Sequence, residues 1–113
     1  MKRGDVVIIS APGDYGKPRP AVIVQTDFLN ATHPSLIVCP ITSHKVDAPL
    51  LRIDIHPSSR NGIREPSQIM ADKLITMRRE KVGGKIGRLS KQTMARLNGI
   101  LLFALGLAEN AEE

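Results

Sequence analysis

Up to residue 89 the apolar residues of this 113-residue chain come in short, β-branched runs separated by Gly- and Pro-rich breaks; beyond Ser90 they recur every three or four positions. Short runs bounded by turn residues read as strands, and the longer period as an amphipathic helix. The runs are DVVIIS (5–10), PAVIVQTD (20–27), LIVCPIT (36–42), LRIDI (51–55), one or two segments within SQIMADKLITM (67–77) and the glycine-laden VGGKIGRL (82–89). PAVIVQTD is almost continuously apolar, which predicts burial on both faces. LRIDI alternates, as a half-exposed strand should. In SKQTMARLNGILLFALGL (90–107), Met94, Leu97, Leu101 and Leu105 make the helical stripe and Ser90 is the expected N-cap. Gly99 and Gly106 weaken a helix interior, so each marks close packing or an end. Five to seven short strands followed by one helix is an α+β or small-barrel pattern, in a single domain over residues 1–113.

Composition limits what such a domain can do. Aromatics make up only 3% of the chain, so the core is built from Ile, Val, Leu and Met. The single cysteine, Cys39, has no internal partner for a disulfide and sits in an apolar run, as a core residue in a reducing compartment would. With no signal-like start and no apolar run near the roughly 20 residues of a membrane span, a cytoplasmic protein without membrane contact is expected. The net charge of +5 is uneven. Residues 1–50 contribute +1 and residues 51–113 contribute +4, and between Lys73 and Arg96 eight basic side chains face one acid, Glu80. Such a stripe attracts a polyanion, or simply solvates a surface.

Familiar cofactor chemistry finds no footing. His33, His44 and His56 lie in expected loops, too evenly spread for a zinc site, and GGKIG (83–87) lacks the spacing and Lys-Ser/Thr end of a phosphate-binding loop. Neither a metal nor a cofactor is expected. Attention falls instead on GKPRPAVIV (16–24). Pro20 drives Arg19 into extended backbone, and Pro18 does the same to Lys17, so a mobile cation is mounted on a stiff stem. Thr42 and Ser43 end the third run, and Asp72 lies in the fifth. Each has a plain structural reading, as a turn or an ion pair. Together they also suit RNA cleavage without a metal, which needs a base for the 2′-hydroxyl, an acid for the 5′-oxygen and donors for the phosphorane. Arg19 would hold the phosphate in a bidentate grip, Thr42 would donate to the same oxygens and Asp72 would be a base.

KRGDVVII (2–9), GKPRPAVIVQTD (16–27), CPITS (39–43) and the closing amphipathic helix, in that order, resemble the MazF/PemK family of bacterial toxin–antitoxin toxins over nearly the whole chain. The resemblance implies a small SH3-like β-barrel with a C-terminal α-helix, and a homodimer. It implies a sequence-selective, metal-independent endoribonuclease that cuts single-stranded RNA to 2′,3′-cyclic phosphate and 5′-hydroxyl ends. It also implies a cognate antitoxin whose acidic tail lies along the toxin and blocks the RNA groove. The family's catalytic arginine and threonine fall on Arg19 and Thr42. Phosphate stabilisation suits Arg19 better than proton abstraction, because a guanidinium keeps its proton. Some members use an arginine and aspartate two apart in the fifth segment, with a histidine in the first loop. Here Asp72 keeps the aspartate's place, Met70 replaces the arginine, and the first loop offers Asp14 and Tyr15. Asp72 is therefore a third catalytic candidate. Lys17, Ser43, His44, Lys45, Lys73, Arg78 and Arg79 are the expected RNA contacts, and the loops 11–18, 43–50 and 56–66 the expected determinants of the cleavage motif.

Two other functions fit the same residues. Toxins of the CcdB type share this barrel and poison DNA gyrase through a tryptophan near the C-terminus, which this chain lacks. A non-catalytic basic SH3-like module would bind nucleic acid with steep salt dependence and cut nothing.

Overall fold

The computed structural model describes residues 1–10 and 17–107. Seven strands and two helices follow one another as β1 (Asp5–Ile9), β2 (Arg19–Ile23), α1 (Asp27–Asn30), β3 (Ser35–Thr42), β4 (Arg52–Ile55), β5 (Ser67–Met70), β6 (Ile75–Arg78), β7 (Val82–Arg88) and α2 (Lys91–Ala104). All strand pairs are antiparallel, in the order β4-β5-β3-β2-β1-β7, with β6 on β3. The path does not close, so the expected barrel is an open, barrel-like α+β sheet.

The long strand β3 joins the two halves. Its first half, Ser35–Val38, pairs with β6, and Ile41 and Thr42 pair with β5. The change of partner falls at Cys39–Pro40, where proline has no N–H to give a ladder. Against β2 the pairing runs unbroken from Ile23↔Val38 through Val22↔Cys39 to Ala21↔Pro40.

Burial on both faces accounts for the uninterrupted apolar run of β2. Val6, Val22, Cys39 and Ile41 face one core with Ile53, Ile69, Leu97 and Leu101, under α2. Val7, Ile9, Ala21, Ile23, Leu36 and Val38 face a second, with Met77 and Val82. Only strand residues make up the second core, so the sheet itself bends over it. Two register shifts between β1 and β7 supply the bend.

The strand expected over 20–27 stops at Ile23, because the Thr26 hydroxyl accepts from the Phe28 N–H and starts the short α1. Helix α2 begins as expected, with Ser90 Oγ accepting from the Thr93 N–H. Its stripe is shorter than the sequence suggests. Leu97 and Leu101 are buried, whereas Leu105 is exposed beyond the last turn. Gly106 ends the helix at φ +72°, but a Cβ at Gly99 would meet open space.

Two other glycines make a seam. A Cβ on Gly62, at φ +71°, would lie 2.2 Å from the Ile86 carbonyl oxygen, and one on Gly87 would lie 2.4 Å from the Arg60 carbonyl oxygen. The 60–62 backbone thus lies flush on β7, and the Arg88 N–H donates to the Arg60 carbonyl at 2.9 Å. Only residues without a Cβ permit so close an approach.

Candidate functional site

Arg19 is the first residue of β2 and pairs with Ile9, while Pro20 pairs with Ile8. The β2–β3 ladder runs as far as Ala21↔Pro40, two residues short of Arg19 on one strand and of Thr42 on the other. At this end of the sheet the first core opens into a cleft of about 500 Å³. Its walls carry Lys17, Arg19, Ser43, Ser67, Arg64 and Glu65 over a floor of Ile8, Pro20, Ile41, Ile63 and Ile86. An apolar floor lowers the local dielectric and strengthens the attraction of the cations above it for an anion.

Thr42 is buried one residue behind Ser43, and its hydroxyl accepts from the His44 N–H at 3.0 Å. The segment after it is held from below by Gln68, which lies opposite Thr42 in the β3–β5 ladder. Gln68 accepts from the Val46 N–H at 3.0 Å and donates to the Val46 carbonyl at 2.8 Å and to Asp54 at 2.9 Å. This amide is buried with its hydrogen-bonding capacity used, so the cleft rim from Ser43 to Val46 has a fixed shape. His44 and Lys45 are exposed on that rim.

The remaining sequence candidates go elsewhere. Asp72 sits in a 3₁₀ turn, Ala71–Lys73, past the far end of β5 from Ser67, and forms a two-pronged ion pair with Arg52 at 3.2 and 3.4 Å. Lys73 is exposed beside it. Arg78 pairs with Glu80 at 2.7 Å, both in solvent. The Glu80 carboxyl is held below its ordinary range first by its own backbone N–H and then by Arg78. Arg79 donates to the carbonyls of His33 and Asn30, tying β6 to the turn after α1. None of these four lines the cleft. Asp14 and Tyr15 lie outside the described residues.

Sequence reasoning missed Gln68 and Ile86, and singled out neither Arg64 nor Glu65 within the 56–66 loop. An isolated amide between apolar neighbours in SQIM was the available signal for Gln68. Nothing local marks the others, because the Gly62–Gly87 seam brings them to the cleft. Among the described residues no three His, Cys, Asp or Glu side chains gather as a metal-binding group. Burial pushes the Cys39 thiol up to about 12, so it is a packing group and not a nucleophile. No described helix is long and apolar enough to cross a membrane.

Comparison with known proteins identifies the family. The profile of the PemK-like, MazF-like toxins of type II toxin–antitoxin systems matches residues 2–105. A probable endoribonuclease MazF of Mycolicibacterium smegmatis is 43% identical over 109 residues, covering 96% of this chain and 99% of that one. Endoribonuclease EndoA of Bacillus subtilis is 27% identical over 114 residues, covering 96% and 97%. Among solved structures, a mycobacterial endoribonuclease in complex with its cognate antitoxin superposes with a TM-score of 0.81 at 22% identity, over 97% of this chain and 99% of that one. Sequence pattern and fold converge with these matches: the chain belongs to the PemK/MazF family of type II toxin–antitoxin toxins.

Proposed function

We propose that this chain is the toxin of a type II toxin–antitoxin pair and an endoribonuclease that cuts single-stranded RNA by metal-independent transesterification. The observation that carries the reading is the convergence of Lys17, Arg19 and Ser43 on one cleft, with the buried Thr42 accepting from the His44 N–H on its rim. The 2′-oxygen attacks phosphorus as its proton leaves, the bond to the 5′-oxygen breaks, and a proton taken from solvent water by that oxygen completes the 5′-hydroxyl beside a 2′,3′-cyclic phosphate. Charge builds on the non-bridging oxygens, which Arg19 meets with a planar fork whose stem Pro18 and Pro20 hold still. Rigid placement of such a group is worth several kcal/mol of barrier. Thr42 supports the turn that carries Ser43 and the His44 N–H to the rim. We assign removal of the 2′-hydroxyl proton to Glu65, the carboxylate among the described cleft residues, in place of Asp72, which Arg52 engages.

The relatives' names support the RNA substrate, and the mycobacterial complex supports a cognate antitoxin as partner. An acidic chain lying over Lys17, Arg19 and Arg64 would neutralise the cleft. A homodimer is the expected assembly. The test is cleavage of a long single-stranded RNA in excess EDTA by wild type and Arg19→Ala, with analysis of product ends. Discrete cuts bearing cyclic phosphates, lost in the variant, are expected. Intact RNA that the protein still binds in a salt-sensitive manner would leave only the non-catalytic module.

A further inference from the structure

The basic stretch from Lys73 to Arg96 does not form one patch. Arg78 is engaged by Glu80, Arg79 by carbonyls, and Lys85 by the buried Asp5 carboxylate at 3.4 Å. Two of its members, Arg88 and Lys91, instead meet Arg3 and Arg60, remote in sequence, around a second hollow of about 340 Å³. Backbone hydrogen bonds fix this meeting. The Arg88 N–H donates to the Arg60 carbonyl and the Leu89 N–H to the Gly4 carbonyl, both at 2.9 Å. Arg3 is oriented by its Nε, which donates to the Val24 carbonyl at 2.7 Å. No carboxylate lines the hollow, and none of Arg60, Arg88 and Lys91 is paired with a carboxylate among the described residues. Four cations meeting around a hollow whose own lining holds no carboxylate, with Asp27 on the Arg3 backbone N–H and Asp54 in the next hollow as the nearby acids, keep a net attraction for a polyanion.

The geometry favours RNA as that polyanion. The hollow adjoins the Arg19 cleft: Gly62 and Ile86 line the cleft, while Arg60 and Arg88, two residues away on the same two segments, line the hollow. A strand leaving the cleft across the glycine seam reaches these arginines after about 7 Å. Guanidinium forks match phosphate oxygens, and no aromatic residue lines the hollow to stack a base. We propose that Arg3, Arg60, Arg88 and Lys91 form a second, sequence-independent site that grips the phosphate backbone of the RNA flanking the cut. The proposal rests on the cleft being an RNA-cleaving site.

The test compares wild type with the triple variant Arg60→Gln, Arg88→Gln, Lys91→Gln. The substrates are a long single-stranded RNA and a short oligonucleotide that spans only the cut. The ratio of kcat/KM, long over short, is expected to fall about tenfold, and the slope of log affinity for long RNA against log salt to flatten by about 2, for three phosphates at about 0.7 each. An unchanged ratio and slope in a folded variant overturns the proposal. If the triple variant fails to fold, Lys91→Glu on the exposed first turn of α2 replaces it, and must lower the same ratio severalfold. Retained RNA preference with lost binding of a polyglutamate peptide also overturns it, in favour of an acidic polypeptide. If wild type cleaves neither RNA, the reading of the cleft has failed; equilibrium binding of the long RNA then decides alone, and the triple variant must weaken it.

Discussion

Gly87→Ala tests the joint on which both the cleft and the second hollow depend. The added Cβ would lie 2.4 Å from the Arg60 carbonyl oxygen, 2.4 Å from the Asn61 carbonyl carbon and 2.5 Å from its oxygen. These are backbone atoms, so no rotamer change relieves the clash. Ordinary contact requires the 60–62 segment to lift by about 1 Å, which breaks the Arg88 to Arg60 hydrogen bond and unseats Gly62 from the Ile86 carbonyl. Overpacking costs about 1–3 kcal/mol, and the lost hydrogen bond about 1 kcal/mol more. The stiffer unfolded chain returns about 0.4–1 kcal/mol. A net loss of about 2–3 kcal/mol lowers Tm by roughly 6–15 °C in a domain of this size. Thermal unfolding followed by circular dichroism reads it directly. Gly84→Ala is the control, since a Cβ there meets nothing within 4 Å and the same strand gains a residue better suited to it. If Gly87→Ala melts together with Gly84→Ala, the flush packing of the 60–62 backbone on β7 is wrong, and with it the placement of Arg60 beside Arg88.

Other outcomes follow from the same structure. Arg19→Ala is expected to lose about 10²–10³ in kcat, measured by RNA cleavage on a variant shown by circular dichroism to be folded. Glu65→Gln should lower kcat for RNA cleavage by about 10²–10³; a folded variant that cuts at the wild-type rate would remove Glu65 as base. Leu97→Ala, in the core under α2, should cost about 2–5 kcal/mol in denaturant unfolding. With its thiol pushed to about 12 by burial, Cys39 should not react with a disulfide reagent at pH 8 until the protein is unfolded, when one thiol should appear. The Asp27 carboxyl is held below its ordinary range, first by the Arg3 N–H and then by Asn30. The unfolded state therefore binds its proton at higher pH, so its stabilisation is complete above the ordinary carboxylate range and fades as pH falls through and below it. Acid titration of Asp27→Asn should show a shallower loss.

Strands were legible where the period was unambiguous. DVVII, LIVCPIT and the alternating RIDI lie within about a residue of their expected bounds. The end of β2 was not, because a side-chain cap at Thr26 overrode the apolar run that precedes it. Arg19 could be singled out because two prolines announce it locally. Gln68 could not, since its place comes from a strand pairing with Thr42 and bonds to Val46 that no window of sequence contains. The basic stripe misled for the same reason. Linear density of Lys and Arg says nothing about which of them a neighbouring carboxylate or carbonyl has already claimed, as Glu80, Asp5 and His33 have done.

The pairing of β1 with β7 has a consequence for when this protein becomes dangerous. Asp5 lies opposite Arg88, and Ile86 is part of the cleft floor. Translation proceeds at roughly 5–20 residues per second, so the first strand leaves the ribosome several seconds before its partner exists. Such non-local pairing also closes slowly. A nascent chain therefore carries Arg19 on its prolines but has no finished cleft around it until synthesis has passed the glycine seam.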